Sequence, residues 1–295
     1  MSAHAEPVRP APPRRRRRRK RTLRRICLNA VGLGVFAVMT FPVFWMVSTS
    51  FKHGNDVLSF PPKFLPTSPT LDNFRDAINR DLFWSSVRNS LVVVGAVVLV
   101  SVTLAFLAAL ALAKFRFYGR SAFVVVVFGV QMVPLAALVI PLYITFSAVH
   151  QIDTLSGVVI AYVALVLPFC VWTMRGFIAG VPRELEEAAM VDGSTRLGAF
   201  VRILLPLVGP GLVATSIFAF IQAWNEYIIA YVLLSSADKQ TITIWLANFT
   251  TGTTRGVDWG TLMAAATLTA LPVVLFFVLV HRRIAFGLTA GAVKQ

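Results

Sequence analysis

The chain has 295 residues, of which 57% are apolar and only 14% charged, where a soluble domain usually carries about 25% charged residues. A core of this size cannot bury so much apolar side chain, which excludes a soluble globular fold and points to an integral membrane protein. Residues 1–25 hold 11 of the 28 basic side chains and one of the 13 acids, Glu6, and so carry +10 of the formal +15. The basic excess is therefore a tail, not a nucleic-acid-binding surface spread over a fold.

That tail contains eight consecutive positive charges, Arg14 to Arg21, preceded by Pro10, Pro12 and Pro13. With no apolar face, residues 1–25 are expected to form a disordered leader that fixes topology and binds anionic lipid. No folded module that could read nucleic acid accompanies the charge. Six stretches then match the roughly 20 helical residues needed to cross a bilayer core: 26–51, 89–113, 121–147, 154–176, 207–233 and 259–281. The first is too long for a signal-peptide apolar region and ends in no A-x-A site. The third contains Gln131 and carries Pro134 and Pro141, which are expected to bend it. The fifth contains one acid, Glu226. Such runs exceed barrel strands in length and lack alternation, so they are helices. The expected fold is an all-α integral membrane protein with six transmembrane helices.

Orientation follows from basic residues in the flanking segments. With both termini in the cytoplasm, the inner segments hold 21 Lys and Arg and the outer ones seven; without the leader the balance is 10 to 7. The loops are too small for an ATPase domain, and no GxxxxGK[ST] stretch is present to cradle phosphates. The two cysteines, Cys27 and Cys170, suggest neither a metal site nor a disulfide framework.

Between the fourth and fifth spans lies the most informative segment, GVPRELEEAAMVDGSTRLGAFVRILLPLVGP, residues 180–210. Pro182 and the following acids suit a helix start. A first short helix is expected to reach Val191 and break at Asp192-Gly193. A second presents Leu197, Phe200, Val201 and Leu204 on one face, and Pro206 and Pro210 bend the chain into the fifth span. This helix–turn–helix elbow reads either as an interfacial helix or as a docking surface. Its three glutamates and aspartate fit an anionic leaflet poorly, which favours docking.

Glu187-Ala188-Ala189, Asp192-Gly193, Phe200 and Pro206 together resemble the EAA loop of binding-protein-dependent ABC importer permeases. Within that superfamily the pattern is similar to the sugar-importer type, and there to the second permease of maltose-type transporters. Trp224-Asn225-Glu226-Tyr227, the GTLMAA run at 260–265 and GLTAGAVK at 287–294 carry the same resemblance. Ser194 and the final Gln295 depart from it slightly. The resemblance implies a cytoplasmic coupling loop over residues 180–206, between helices four and five of a transmembrane domain over 26–295. Glu187, Ala188, Ala189, Asp192, Gly193, Phe200 and Pro206 would couple to an ATPase subunit. Gly287, Gly291 and Lys294 would lie in a C-terminal tail reaching that subunit.

It further implies a second homologous permease, two copies of a cytoplasmic ATP-binding subunit and an external solute-binding protein. ATP and Mg would sit on the ATPase partner, with no cofactor, metal or catalytic residue on this chain. The setting would be a bacterial or archaeal cytoplasmic membrane. Chemistry alone nominates Gln131, Trp224, Asn225, Tyr227 and Asn248 for sugar contact. Glu226 reads either as an interfacial carboxylate or as part of the translocation path. A glycerol phosphate importer and an ion-coupled secondary transporter are the alternative readings. The latter is weakened by the single intramembrane acid and the lack of a convincing repeat.

Overall fold

The computed structural model describes residues 14–251 and 257–289, with side chains over 25–250 and 257–280. In chain order the helices are α1 (Arg14–Ser50), α2 (Gly54–Val57), α3 (Asp72–Asn79), α4 (Phe83–Lys114), α5 (Arg120–Gln131), α6 (Leu135–Ala148) and α7 (Leu155–Ala179). There follow α8 (Arg183–Val191), α9 (Arg196–Ala199), α10 (Leu205–Asn225), α11 (Ile228–Leu233), α12 (Ile242–Thr251) and α13 (Trp259–Thr289). No strand occurs among the described residues.

The structure adds detail at three places. The helix α1 already begins at Arg14, so residues 14–25 are continuous with the first span. Arginine and lysine are good helix formers, and extending an existing helix needs no new nucleus. Residues 1–13 lie outside the described set, as do Gly291 and Lys294, while Gly287 falls within α13.

The third span is two helices, α5 and α6, meeting at 100°. Proline at 134 has no N–H and drives Val133 away from helical geometry, so the ladder stops there. The fifth span is also interrupted. It runs from α9 through a π-turn at Phe200–Leu204 into α10, ends at Asn225, and resumes as α11. Among the described residues, five helices are long and apolar enough to cross a membrane, or six when the bent α5–α6 pair counts as one span.

The helix α4 is the axis of the bundle, packed against α7 and α10, while α13 meets α10, α3 and α1. Its buried face recurs every three or four residues: Ser86, Ser90, Val93, Val97, Ser101, Ala105 and Ala109. Small side chains at this spacing let helices approach closely where lipid supplies no hydrophobic drive. The side chains left exposed on α1, including Val38, Met39 and Phe36, form an apolar surface suited to hydrocarbon. The widest core cluster lies at the Asn89 end of α4, around Tyr162, Trp224, Leu233, Ile242 and Trp245. A second joins Ala109 with Met174, Ile178, Leu204 and Val208 near its Lys114 end.

At Gly211, α10 lies close against α7: a Cβ there would stand 2.5 Å from the Phe177 ring. Two residues earlier, Gly209 has nothing within 4 Å. Gly211→Leu is therefore expected to cost about 1–3 kcal/mol through overpacking. Gly209→Ala is expected to leave thermal unfolding in detergent unchanged, and Phe177→Ala should recover part of the Gly211→Leu loss.

Candidate functional site

The elbow is built as the sequence suggests, with one difference. Pro182 precedes α8, and Glu184 and Glu186 occupy its first turn, where acids suit the helix dipole. The helix ends through Asp192 N–H to Ala188 O at 2.9 Å and Gly193 N–H to Met190 O at 3.1 Å. Gly193 has φ +90°, which only glycine adopts cheaply, so the reversal of direction depends on it. Thr195 then caps α9, its hydroxyl accepting from Gly198 N–H at 3.0 Å.

Phe200 is the difference. The π-turn that starts at this residue accommodates an extra residue per turn and rotates the following face. Its ring packs into the bundle, 5.9 Å from that of Phe106, instead of lying on the outward stripe. Leu204 is buried as well. The apolar residues the elbow does expose include Leu185, Met190, Val191 (87%), Leu197 (71%) and Val201. Beside them Glu187, Ala188 and Asp192 are exposed. Glu187 makes no side-chain hydrogen bond or ion pair among the described residues.

Its neighbour Glu186 does the opposite. One residue on, a helix has turned by about 100°, and the Glu186 carboxylate meets the Lys114 ammonium at the last residue of α4. Arg183 donates to the carbonyls of Ala113 and Lys114 at 3.4 and 3.2 Å. These are orphan acceptors at the C-terminal end of α4, where a cation is favoured. A groove of about 220 Å³ lies between Lys114, Arg183, Glu186, Glu187 and Arg196. Sequence reading missed this clamp, since only packing brings Lys114 to Glu186; the one signal was two adjacent glutamates that cannot share a helix face.

At the opposite end the expected polar residues do not form one site. Glu226 is 9% exposed, and its carboxylate accepts from Ile229 and Ala230 N–H at 2.8 and 3.1 Å. It therefore starts α11 as a side-chain cap, neither snorkelling to an interface nor lining an open path. The Glu226 carbonyl accepts from the Tyr162 hydroxyl and the Thr243 hydroxyl at 3.2 and 2.9 Å. Trp224 is 3% exposed; it stacks on Phe220 and donates to Thr269 O at 3.1 Å. It serves packing.

Asn225 and Tyr227 are exposed, Asn225 bonded to Ile221 O and Tyr227 stacked on Tyr231 with centroids 5.4 Å apart. Asn248 bonds the Gln240 side chain at 3.0 Å. Gln131 lines a cavity of about 450 Å³ at the α5–α6 break, with Met132, Pro134, Leu138, Leu165 and Ile229. The position of Ile229 brings the start of α11 to the same cavity.

Asp153, the acid between the third and fourth spans, organises the loop after α11. Its carboxylate accepts from Ser235 and Ser236 N–H at 3.0 and 2.9 Å and from the Lys239 ammonium at 2.8 Å. The Lys239 bond, followed by the bonds from Ser236, holds the carboxyl well below its usual range. A depressed acid contributes stability above its unfolded pKa, about 3.9, and loses it as pH falls through the folded value. The gap in unfolding temperature between the wild type and Asp153→Asn is thus expected to be full at pH 7 and to narrow only below about pH 4. At Glu226, alanine leaves two buried N–H groups unpaired and is expected to cost about 1–3 kcal/mol. Glutamine keeps one acceptor and should cost less, as read by thermal unfolding in detergent.

Comparison with known proteins bears directly on this arrangement. Residues 101–289 match the family model described as the binding-protein-dependent transport system inner membrane component. The diacetylchitobiose uptake system permease protein DasC of Streptomyces coelicolor is 42% identical over 270 residues, covering 92% of this chain and 97% of the relative. The trehalose/maltose transport system permease protein MalG of Thermococcus litoralis is 31% identical, covering 92% of this chain and 98% of the relative. In fold, the chain is similar to one in the crystal structure of a bacterial ABC transporter involved in import of the acidic polysaccharide alginate. The TM-score is 0.75 at 23% identity, covering 93% of this chain and 99% of that one. An interrupted helical bundle with this elbow and these relatives has one assignment: the chain belongs to the family of binding-protein-dependent transport system inner membrane components.

Proposed function

We propose that this chain is one permease of an ATP-driven importer that carries a sugar across the cytoplasmic membrane. The family match and the sugar-transporting relatives support the reading, and the elbow is the observation that carries it. Its exposed Glu187, flanked by Leu185, Val191 and Leu197, offers an acidic and apolar surface to a soluble partner. In this reading the elbow faces the cytoplasm, with both termini on that side, and docks on one of two ATP-binding subunits. ATP and Mg belong to those subunits. A second, related permease completes the pathway, and an external solute-binding protein delivers the sugar, as the family description supports. The basic leader holds the N-terminus inside through anionic lipid, at about 1 kcal/mol per residue near the surface.

The work done is conformational, not covalent. Nucleotide on one side and the loaded binding protein on the other bias an equilibrium between inward-open and outward-open states. Glu187 contacts the ATPase subunit, and Gly193 sets the angle between the two short helices that enter it. Ala188 packs beside Glu187, while Asp192 closes the turn and Pro206 sits at the joint with α10. Substrate contact falls to the exposed groups near the helix breaks. Gln131 faces the cavity at the α5–α6 break, and Asn225 with the Tyr227–Tyr231 stack offers an amide and an aromatic platform.

Glu187→Lys places a cation where the partner expects an acid. In proteoliposomes holding the permease pair and the ATPase, stimulation of ATP hydrolysis by the loaded binding protein is expected to fall at least tenfold. Basal hydrolysis and complex yield should persist. Stimulation at the wild-type level would remove the docking assignment. Uptake of labelled di- and oligosaccharides by the wild-type vesicles tests the substrate class, and uptake driven by an ion gradient without ATP would overturn the importer reading.

A further inference from the structure

We infer that α4, not α10, is the stiff member that carries movement of the elbow to the opposite end of the protein, with Lys114, Glu186 and Arg183 forming its joint to the elbow. This rests on the proposed coupling role of the elbow and adds the route by which displacement travels.

Stiffness is the first argument. The helices α1, α6, α7, α10 and α13 each contain a proline, at positions 42, 141, 168, 210 and 272. Each proline removes a ladder hydrogen bond and lets the helix bend. The obvious route, α10, is weaker still. It is joined to α9 through the π-turn at Phe200–Leu204, has Pro206 at its start, and stops at Glu226. By contrast α4 runs 32 residues without a proline, about 48 Å at 1.5 Å per residue.

Attachment is the second argument. At one end the Lys114–Glu186 ion pair is largely shielded, its side chains 14% and 23% exposed. Arg183 adds hydrogen bonds to the last carbonyls of the helix. At the other end Asn89 donates to the carbonyls of Asp238 and Gln240 at 2.8 and 3.1 Å, and Ser90 accepts from Ile242 N–H at 2.8 Å. These bonds grip the 237–242 turn, which Lys239 and Asp153 tie to the start of α7.

Between the two ends, among the described residues, no side-chain hydrogen bond joins α4 to another helix. The hydroxyl of Ser101 is buried there without a partner. The face between is the small-residue stripe, which has no directional bond to break when the helix shifts along its axis. Polar anchors at both ends with a smooth, unbroken shaft between them are the features of a push-rod.

The test uses the full chain assembled with its permease and ATPase partners in lipid nanodiscs, with Cys27→Ser and Cys170→Ala. A nitroxide at Ala237→Cys reports the far turn, and one at Val191→Cys reports the elbow; ATP with vanadate is the trigger. In Lys114→Glu the nucleotide-driven spectral change at position 237 is expected to fall at least fivefold while that at 191 remains. The charge swap Lys114→Glu with Glu186→Lys is expected to restore more than half of it. A full response at 237 in Lys114→Glu, or no recovery in an assembled swap variant, overturns the inference.

If Lys114→Glu fails to assemble, Leu99→Gly with Val100→Gly softens the exposed middle of α4, away from both joints. It is expected to give the same selective loss, and an unaltered response at 237 again overturns the proposal. Absence of any wild-type response at 191 would instead overturn the coupling role of the elbow.

Discussion

A backbone N–H or C=O that leaves the helical ladder inside a bilayer has no water to turn to, so each interruption of a span must be satisfied by the protein itself. Among the described residues the spans are interrupted three times, and the requirement is met differently each time. At the α5–α6 break, Met132 and Val133 N–H bond back to Gly129 and Val130 carbonyls, and Ala137 N–H bonds back across the start of α6 to Pro134 O. At the π-turn the bonds lengthen by one residue but stay within the helix. At the end of α10 a carboxylate, Glu226, takes the first free N–H groups of α11. These bonds take up part of the backbone freed at each break, so fewer polar groups are left to face lipid where a helix changes direction.

The placement of charge follows from the same scarcity of solvent. Adjacent glutamates on α8 divide their roles through helical geometry: Glu186 turns toward α4 and neutralises Lys114, while Glu187 stays outside. A paired charge can sit within the bundle surface, and an unpaired one must remain hydrated or meet a partner. The elbow is thus attached to the membrane domain by one acid and presents another. At the opposite end Asp153 and Glu226 both accept from backbone N–H groups of the segment between α10 and α12. The loop joining the last two spans is held by carboxylates instead of by apolar packing alone.

Much of this was legible in sequence because membrane insertion imposes coarse rules. Apolar length marked every span, Pro134 marked the bend in the third, and Asp192-Gly193 marked the elbow turn that φ +90° at Gly193 requires. The elbow residues were legible by their resemblance to a known loop. Glu226 was singled out as the only acid within a span. Its role was not readable, since a cap is defined by the N–H groups that reach it and a pore residue by open space in front of it. Trp224 looked like a sugar platform for the same reason: its burial against Phe220 and Thr269 depends on α13, 45 residues further along the chain.

What the sequence by itself determined was the all-helical membrane class, the elbow and the family, because each rests on local apolar length, local turn chemistry or a contiguous motif. Only the tertiary structure decided which of two adjacent glutamates is free, that Phe200 turns inward, and that α4 is gripped at both ends. Those outcomes depend on residues brought together across 72 to 152 positions of chain. No periodicity within a single helix records which neighbours its faces will meet.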